Sequence, residues 1–360
     1  MPTSARSPLA DYHLSQGANL ADYHGALVPG RFSDSRQEHE AVRKAAGLFD
    51  FSFRAKIAVT GADRVRFLQG TVTNDVKTLA PGRGTYAALL NPQGHILADL
   101  RIHSAADRFL IDTDADLREK VLAWLQHHII ADRVKLEPLE VYALAFQGPK
   151  SRPLLEKTLH VDLPALEEFD HLATNYAGFP IRVVRASSTG EEGYEIWVGE
   201  KGLWGVWGAA CGQAPTYDML PCGVEALESL RLEAGIPRYG PDLGEDTLLL
   251  EAGLLNAVSF TKGCYVGQEI VERSRSRGHV NWKLVGLLVD ADQPPAPGET
   301  LLSSGKEIGE VTSACLSPTL GRTIALGYVR REVSEPGTKL TLASGPAVEV
   351  TSLPFYKRAA

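Results

Sequence analysis

Cysteine is scarce in this chain of 360 residues: there are four, Cys211, Cys222, Cys264 and Cys315, and no two share a CxxC spacing. Zinc-ribbon and thioredoxin-type chemistry therefore find no support, and the thiols are expected to be free in a reducing compartment. No apolar run approaches the roughly 18 residues of a membrane-spanning helix. Residues 1–20 are polar and show no apolar segment of a secretory signal, so the cytoplasm is the expected location. GxGxxG and P-loop spacings are absent, which removes nucleotide binding by those routes. Positive charge is also outweighed: 37 Lys and Arg against 44 Asp and Glu give a formal net charge of -7. That argues against a general nucleic-acid or membrane-surface binder. There is no internal repeat and no low-complexity tract.

What is present is an ordinary globular composition, 44% hydrophobic and 22% charged, in a chain long enough for two or three domains. Alternation at Lys56-Ile57-Ala58-Val59 predicts a strand, and Asp63 is placed to cap a helix closed by Gly70. Residues 86–90 and 95–102 read as strands joined by the turn Asn91-Pro92-Gln93-Gly94, followed by a strand over 109–112. Leu117, Val121, Leu125 and Ile129 stand four apart, predicting a helix over 116–130. A shorter helix is expected over 38–48, strands over 141–147 and 194–198, and a helix opening at Pro221 and ending at Gly235. Strand, helix, hairpin, helix, strand describes an α+β layer, not a βαβ series. From about residue 283 the pattern changes. Five short strands (284–289, 308–314, 324–329, 339–343, 348–351) separated by Pro/Gly/Ser turns predict a small all-β barrel.

The richest segment is Lys262-Gly263-Cys264-Tyr265-Val266-Gly267-Gln268-Glu269. Glycines permit tight, shaped backbone, and a thiolate is both a nucleophile and a metal ligand. Spelled as Lys-Gly-Cys-aromatic-x-Gly-Gln-Glu, the run resembles the signature of the YgfZ family of folate-binding proteins, relatives of the glycine-cleavage T protein, the folate-dependent aminomethyltransferase. The likeness extends in family order through Gly47-Leu48-Phe49-Asp50-Phe51-Ser52, Phe67-Leu68-Gln69-Gly70 with Thr73-Asn74-Asp75-Val76, and Gly94-His95-Ile96-Leu97-Ala98-Asp99. It continues in Thr189-Gly190-Glu191-Glu192-Gly193-Tyr194-Glu195-Ile196 and Leu230-Arg231-Leu232-Glu233-Ala234-Gly235.

That resemblance implies an α+β fold of three domains, with antiparallel sheets and helices around a central folate pocket and a C-terminal β-barrel. The implied division is 1–282 for the folate-binding region (1–52 with 141–244, and 53–140 with 245–282) and 283–360 for the barrel. It implies tetrahydrofolate or another reduced folate as cofactor, Asp99 as the carboxylate facing the reactive folate nitrogens, and Glu195 reading the pterin edge through paired N–H bonds. Arg231 matches an arginine that approaches the folate. From the residues alone, Asp99 could equally be a solvent-facing strand residue, and Arg231 could pair with Glu228 at i,i+3.

Two aromatics expected from the aminomethyltransferases are replaced: Ser188 stands shortly before Glu195, and Leu110 and Ile111 lie beyond Asp99. The resemblance thus leads to a first expectation, a folate-binding factor supporting iron–sulfur enzymes or their assembly proteins, including radical-SAM enzymes that modify tRNA. Aminomethyl transfer would be absent or very slow. Cys264 would be the working thiol, as nucleophile, redox thiol or iron ligand, with Lys262 beside it. The alternative is a folate-dependent aminomethyl transferase using Asp99. Glu272, Arg273, Arg275, Arg277 and His279 form a basic stretch that reads as a solvated loop or an anion site, with no support for direct tRNA binding.

Overall fold

The computed structural model describes residues 5–276 and 280–358; Arg277, Gly278 and His279 of the basic stretch lie outside them. Two large sheets face each other, and each buries its outer side under helices. One has six strands in the order His171–Tyr176, Phe179–Arg185, Gly193–Val198, Tyr142–Gln147, Ala46–Asp50 and Met219–Cys222. The last pair is parallel and the others antiparallel. The second has five antiparallel strands in the order Gly84–Leu90, Ile96–Ser104, Phe109–Asp114, Arg54–Thr60 and Lys135–Leu139. A three-stranded sheet is formed by Ala5–Arg6, Ala26–Arg31 and Asn19–Tyr23.

The period-two rule decides which side chains enter the space between the large sheets. In Ile96–Ser104, Ala98, Leu100 and Ile102 point outward and pack with Phe67 and Leu68 of helix Arg64–Thr71 and Val121 and Leu125 of helix Arg118–His127. Asp99, Arg101 and His103 therefore point inward. In Gly193–Val198, Tyr194 and Ile196 pack outward against Leu203, Val206 and Trp207 of helix Glu200–Gly212, which turns Glu195 and Trp197 inward.

Several local expectations change under tertiary pairing. The helix expected over 38–48 is Ser35–Lys44, capped by the Asp34 side chain, which accepts from the Arg36 and Gln37 amides at 2.8 and 3.3 Å. Residues Ala46–Asp50 are instead a wholly buried strand with neighbours on both sides. The helix expected from Pro221 is preceded by strand Met219–Cys222 and runs over Val224–Glu233. Asp63 makes no cap bond; its carboxylate accepts from the Arg133 amide and Nε at 2.8 and 3.1 Å.

The C-terminal barrel closes with six strands, Trp282–Val289, Arg322–Arg330, Lys306–Ser317, Thr300–Ser303, Lys339–Leu342 and Ala347–Thr351. The sixth, Thr300–Ser303, was not expected from the sequence. The barrel is held to helix Val224–Glu233 by Leu232 against Ile324 and Leu326 and by Glu233. The Glu233 carboxylate is fully buried and accepts from Arg43 at 2.7 Å, Ser317 at 2.5 Å and the Thr319 hydroxyl at 2.7 Å. Burial pushes that carboxyl up, but His39, Ser317 and Arg43 outweigh it and hold it down at about 2. Removing one partner of a buried pair strands the other charge and costs about 3–5 kcal/mol. We expect Glu233→Ala to lose that much stability by urea denaturation; a loss below about 1 kcal/mol would show that Arg43 finds another partner.

Candidate functional site

Between the sheets lies a charged layer. Asp112, fully buried, accepts from Arg54 at 3.0 and 3.2 Å, is 2.9 Å from the Lys56 ammonium, and is 3.5 Å from Arg101. Arg54 also donates to Asp114 at 2.6 Å. Strand register explains this: Arg54 lies opposite Asp114, Lys56 opposite Asp112 and Asp112 opposite Arg101. Lys56 stands 4.7 Å from the Trp197 ring centre, and burial pushes its ammonium down.

Two hollows open beside this layer and share Asp99, Arg101, Ile236 and Pro237 in their walls. The larger, about 540 Å³, adds Tyr86, Glu168, Phe169 and Asn256. The smaller, about 100 Å³, adds Tyr23, Phe53, Arg54, Ser188, Arg231 and Arg238. Tyr86 donates to the Asp99 carboxylate at 3.1 Å. Burial, and then the neighbouring charge of Asp114, raise the Asp99 carboxyl above the usual range, although Arg54, Tyr86 and Arg101 pull the other way. A half-buried carboxyl in a cavity wall with raised proton affinity suits proton holding or transfer. Gly84 lets Phe169 close the wall: a Cβ there would meet the Phe169 carbonyl oxygen at 2.2 Å.

Glu195 does not line either hollow. Its carboxylate is fully buried and accepts from Arg101 at 2.5 Å and from the Trp197 indole at 2.9 Å. Both oxygens of the residue expected to read the ligand edge are thus engaged by protein groups. Arg231 lines the smaller hollow and pairs with Glu228, as the i,i+3 reading allowed. Its Nε donates to Glu228, one terminal nitrogen to Asp242 and the Ile236 carbonyl, and the other to Glu228 and Ser313, at 2.6–3.3 Å. These bonds use its donors in clamping helix, loop and barrel together.

The segment 262–269 lies apart from both hollows. Lys262 is buried and donates to the Val72 and Asn74 carbonyls at 2.6 and 2.8 Å; burial lowers its ammonium to about 8. Tyr265 packs in the core with Leu90, Ile96 and Val271. Gly267 has φ +82°, and a Cβ there would stand 2.8 Å from the Asn91 carbonyl oxygen. The motif is an anchor that pins the loop after helix Arg64–Thr71 to the hairpin turn. Of the expected catalytic set, Asp99 lines the hollows, whereas Lys262 and Cys264 do not.

Arg101 and Tyr86 were missed by sequence reasoning. The signal for Arg101 was its place two residues after Asp99 in an alternating strand, which puts both on one face. Cys264 remains exposed, whereas burial pushes up the thiols of Cys211, Cys222 and Cys315, the last to about 12. With substoichiometric iodoacetamide on native protein, Cys264 should be the first thiol labelled in peptide mass spectra. Earlier labelling of any of the other three would contradict this geometry.

Comparison with known proteins is consistent along the whole chain. Residues 9–262 match the GCVT N-terminal domain, and residues 283–357 match the glycine cleavage T-protein C-terminal barrel domain. The chain is 35% identical to an aminomethyltransferase of Bacillus subtilis over 98% of this chain and 99% of that protein. It is 36% identical to one of Streptomyces coelicolor over 98% of each. The crystal structure of glycine cleavage system aminomethyltransferase T from Bartonella henselae superposes with a TM-score of 0.92 at 29% identity, covering 98% of both chains. These relatives overturn the expectation of a YgfZ-type factor for iron–sulfur assembly and tRNA modification, and they give no support to iron–sulfur partners. The eight-residue motif that resembles the YgfZ signature anchors a loop in this chain.

Proposed function

The chain belongs to the glycine-cleavage T-protein family, and from that premise we propose that it is a folate-dependent aminomethyltransferase with Asp99 at the reacting centre. The observation that carries this reading is the placement of Asp99. It stands in the wall common to both hollows, bonded by Tyr86, in a chain alike from end to end to aminomethyltransferases. The replaced aromatics at Ser188, Leu110 and Ile111 are no bar to a ring-lined site, because Tyr86 and Phe169 wall the larger hollow.

The residues present fit a reduced folate. A hollow of about 540 Å³ is in the range of small-molecule sites, about 300–1,000 Å³. Aromatic rings offer faces to a flat heterocycle, and Arg238, partly exposed in the wall of the smaller hollow, supplies positive charge for an anionic tail. When bound, the folate would supply the nitrogens that accept a one-carbon unit. Asp99 holds or moves a proton there, and Tyr86 orients its carboxylate. Burial and Asp99 keep the Tyr86 hydroxyl well above its ordinary range, so it remains a donor. No helix among the described residues is long and apolar enough to cross a membrane. The four free thiols favour a reducing compartment such as the cytoplasm.

The test is formation of methylenetetrahydrofolate from tetrahydrofolate and an aminomethyl donor by purified protein. Losing a positioned proton-transfer group costs about 10²–10⁴-fold. Asp99→Asn should therefore lose about that much turnover while binding tetrahydrofolate within a few-fold of the parent. Absence of turnover in the parent protein with a competent donor would overturn the assignment.

A further inference from the structure

The wall of the cavity presents a cation where a recognising carboxylate was expected. Glu195 is sealed behind Arg101: its two oxygens are held by the Arg101 guanidinium at 2.5 Å and the Trp197 indole at 2.9 Å, and no part of its side chain is exposed. Arg101 in turn reaches both hollows, with 15% of its side chain exposed. One terminal nitrogen donates to Glu195 and Asp112, and the other to Ser188 at 3.3 Å. Those are three contacts for a group with five N–H donors, which leaves two N–H groups for the cavity. The short Ser188 side chain meets that guanidinium in the wall of the smaller hollow.

We propose that Arg101 is the residue that reads the heterocycle of the bound folate, by donating to its 4-oxo oxygen, and that Glu195 is a positioning residue acting through Arg101. This inference rests on the reading of the cavity as a folate site. Its chemical consequence is a reversed polarity. A carboxylate in the wall would select donors on the ligand edge, and a protonated amino-pteridine above all. A guanidinium selects acceptors and repels a cation. Asp112 holds the other side of the Arg101 terminal nitrogen, so the guanidinium is fixed in its plane by two carboxylates and a hydroxyl before the ligand arrives, which is the arrangement that gives specificity.

The experiment compares calorimetric binding of tetrahydrofolate and its 4-amino-4-deoxy counterpart, which replaces the acceptor oxygen with a donor. A hydrogen bond to a charged group is worth about ten- to hundredfold. The parent protein should favour the 4-oxo ligand by about that factor. Arg101→Lys, which keeps the charge but loses the fixed fork, should cut the preference several-fold. Glu195→Gln should also reduce it, a readout that a purely structural role would not move. Because either single change can strand a buried charge, the double variant Arg101→Met, Glu195→Gln removes both. It should bind the two ligands about equally, with circular dichroism unchanged. Tighter binding of the 4-amino ligand by the parent would show that Glu195 reads the edge directly and would overturn the proposal. An unchanged preference in the folded double variant would do the same. Binding of neither ligand by the parent would instead remove the folate reading itself, and this inference with it.

Discussion

Asp112 is the hinge of the electrostatics. Inside the space between the two sheets, Arg54, Lys56 and Arg101 converge on it or on its neighbours. Three cations face three carboxylates there: Asp112, Asp114 and Glu195. A buried charge is tolerable only when paired and hydrogen-bonded, and each of these is. Asp99 is the fourth carboxylate in the layer. With the cations already committed, its ionised form is the least compensated, and burial adds to that cost. The proton affinity of the candidate catalytic group thus follows from burial and from the charges of Asp114, Arg54 and Arg101 around it.

The same logic separates the two arginines that line the site. Arg231 has its donors bonded to Glu228, Asp242, Ser313 and the Ile236 carbonyl. Arg101 keeps two N–H groups free. Both are guanidinium groups in a cavity wall, and only donor bookkeeping tells the clamp from the reader. Arg231 also ties the cavity to the barrel. Ser313 and Thr312 lie on a barrel strand, and Asp242, which Arg231 holds at 2.6 Å, accepts from Thr312 at 2.5 Å. The barrel is thereby part of the wall's support.

How far the sequence discloses this depends on the range of the forces. Local periodicity sufficed for Ile96–Ser104, for the helix carrying Val121 and Leu125, and for most of the barrel, because each has one clear apolar face. It failed at Ala46–Asp50, buried on both sides, where only the partners Leu144, Phe146 and Cys222 decide that the segment is a strand. At the site, Asp99 was legible from motif and strand position. The sealing of Glu195 was not, since Arg101 lies 94 positions away in sequence and pairing across two sheets leaves no local trace. The segment 262–269 misled for a related reason. Its lysine, tyrosine and glycine look reactive in one dimension and prove to be an anchor in three.

That anchor bears on the site all the same. Lys262 holds the Val72 and Asn74 carbonyls, and Asn74 in turn donates to Thr85, to the Tyr86 carbonyl and to the Asn256 carbonyl at 2.8–3.0 Å. Thr73 accepts from the Ala88 amide and donates to the Ala257 carbonyl. Strand Gly84–Leu90, which carries Tyr86, is therefore stitched on one flank to residues 255–257 through Thr73 and Asn74, whose own backbone Lys262 fixes. Tyr86 orients Asp99. A chain of hydrogen bonds thus runs from the lysine of the motif to the Asp99 carboxylate in the cavity wall, with the motif shaping the cavity from outside it. A residue pattern can support a cavity that none of its side chains lines, because the backbone it immobilises is the one that carries a residue of the wall.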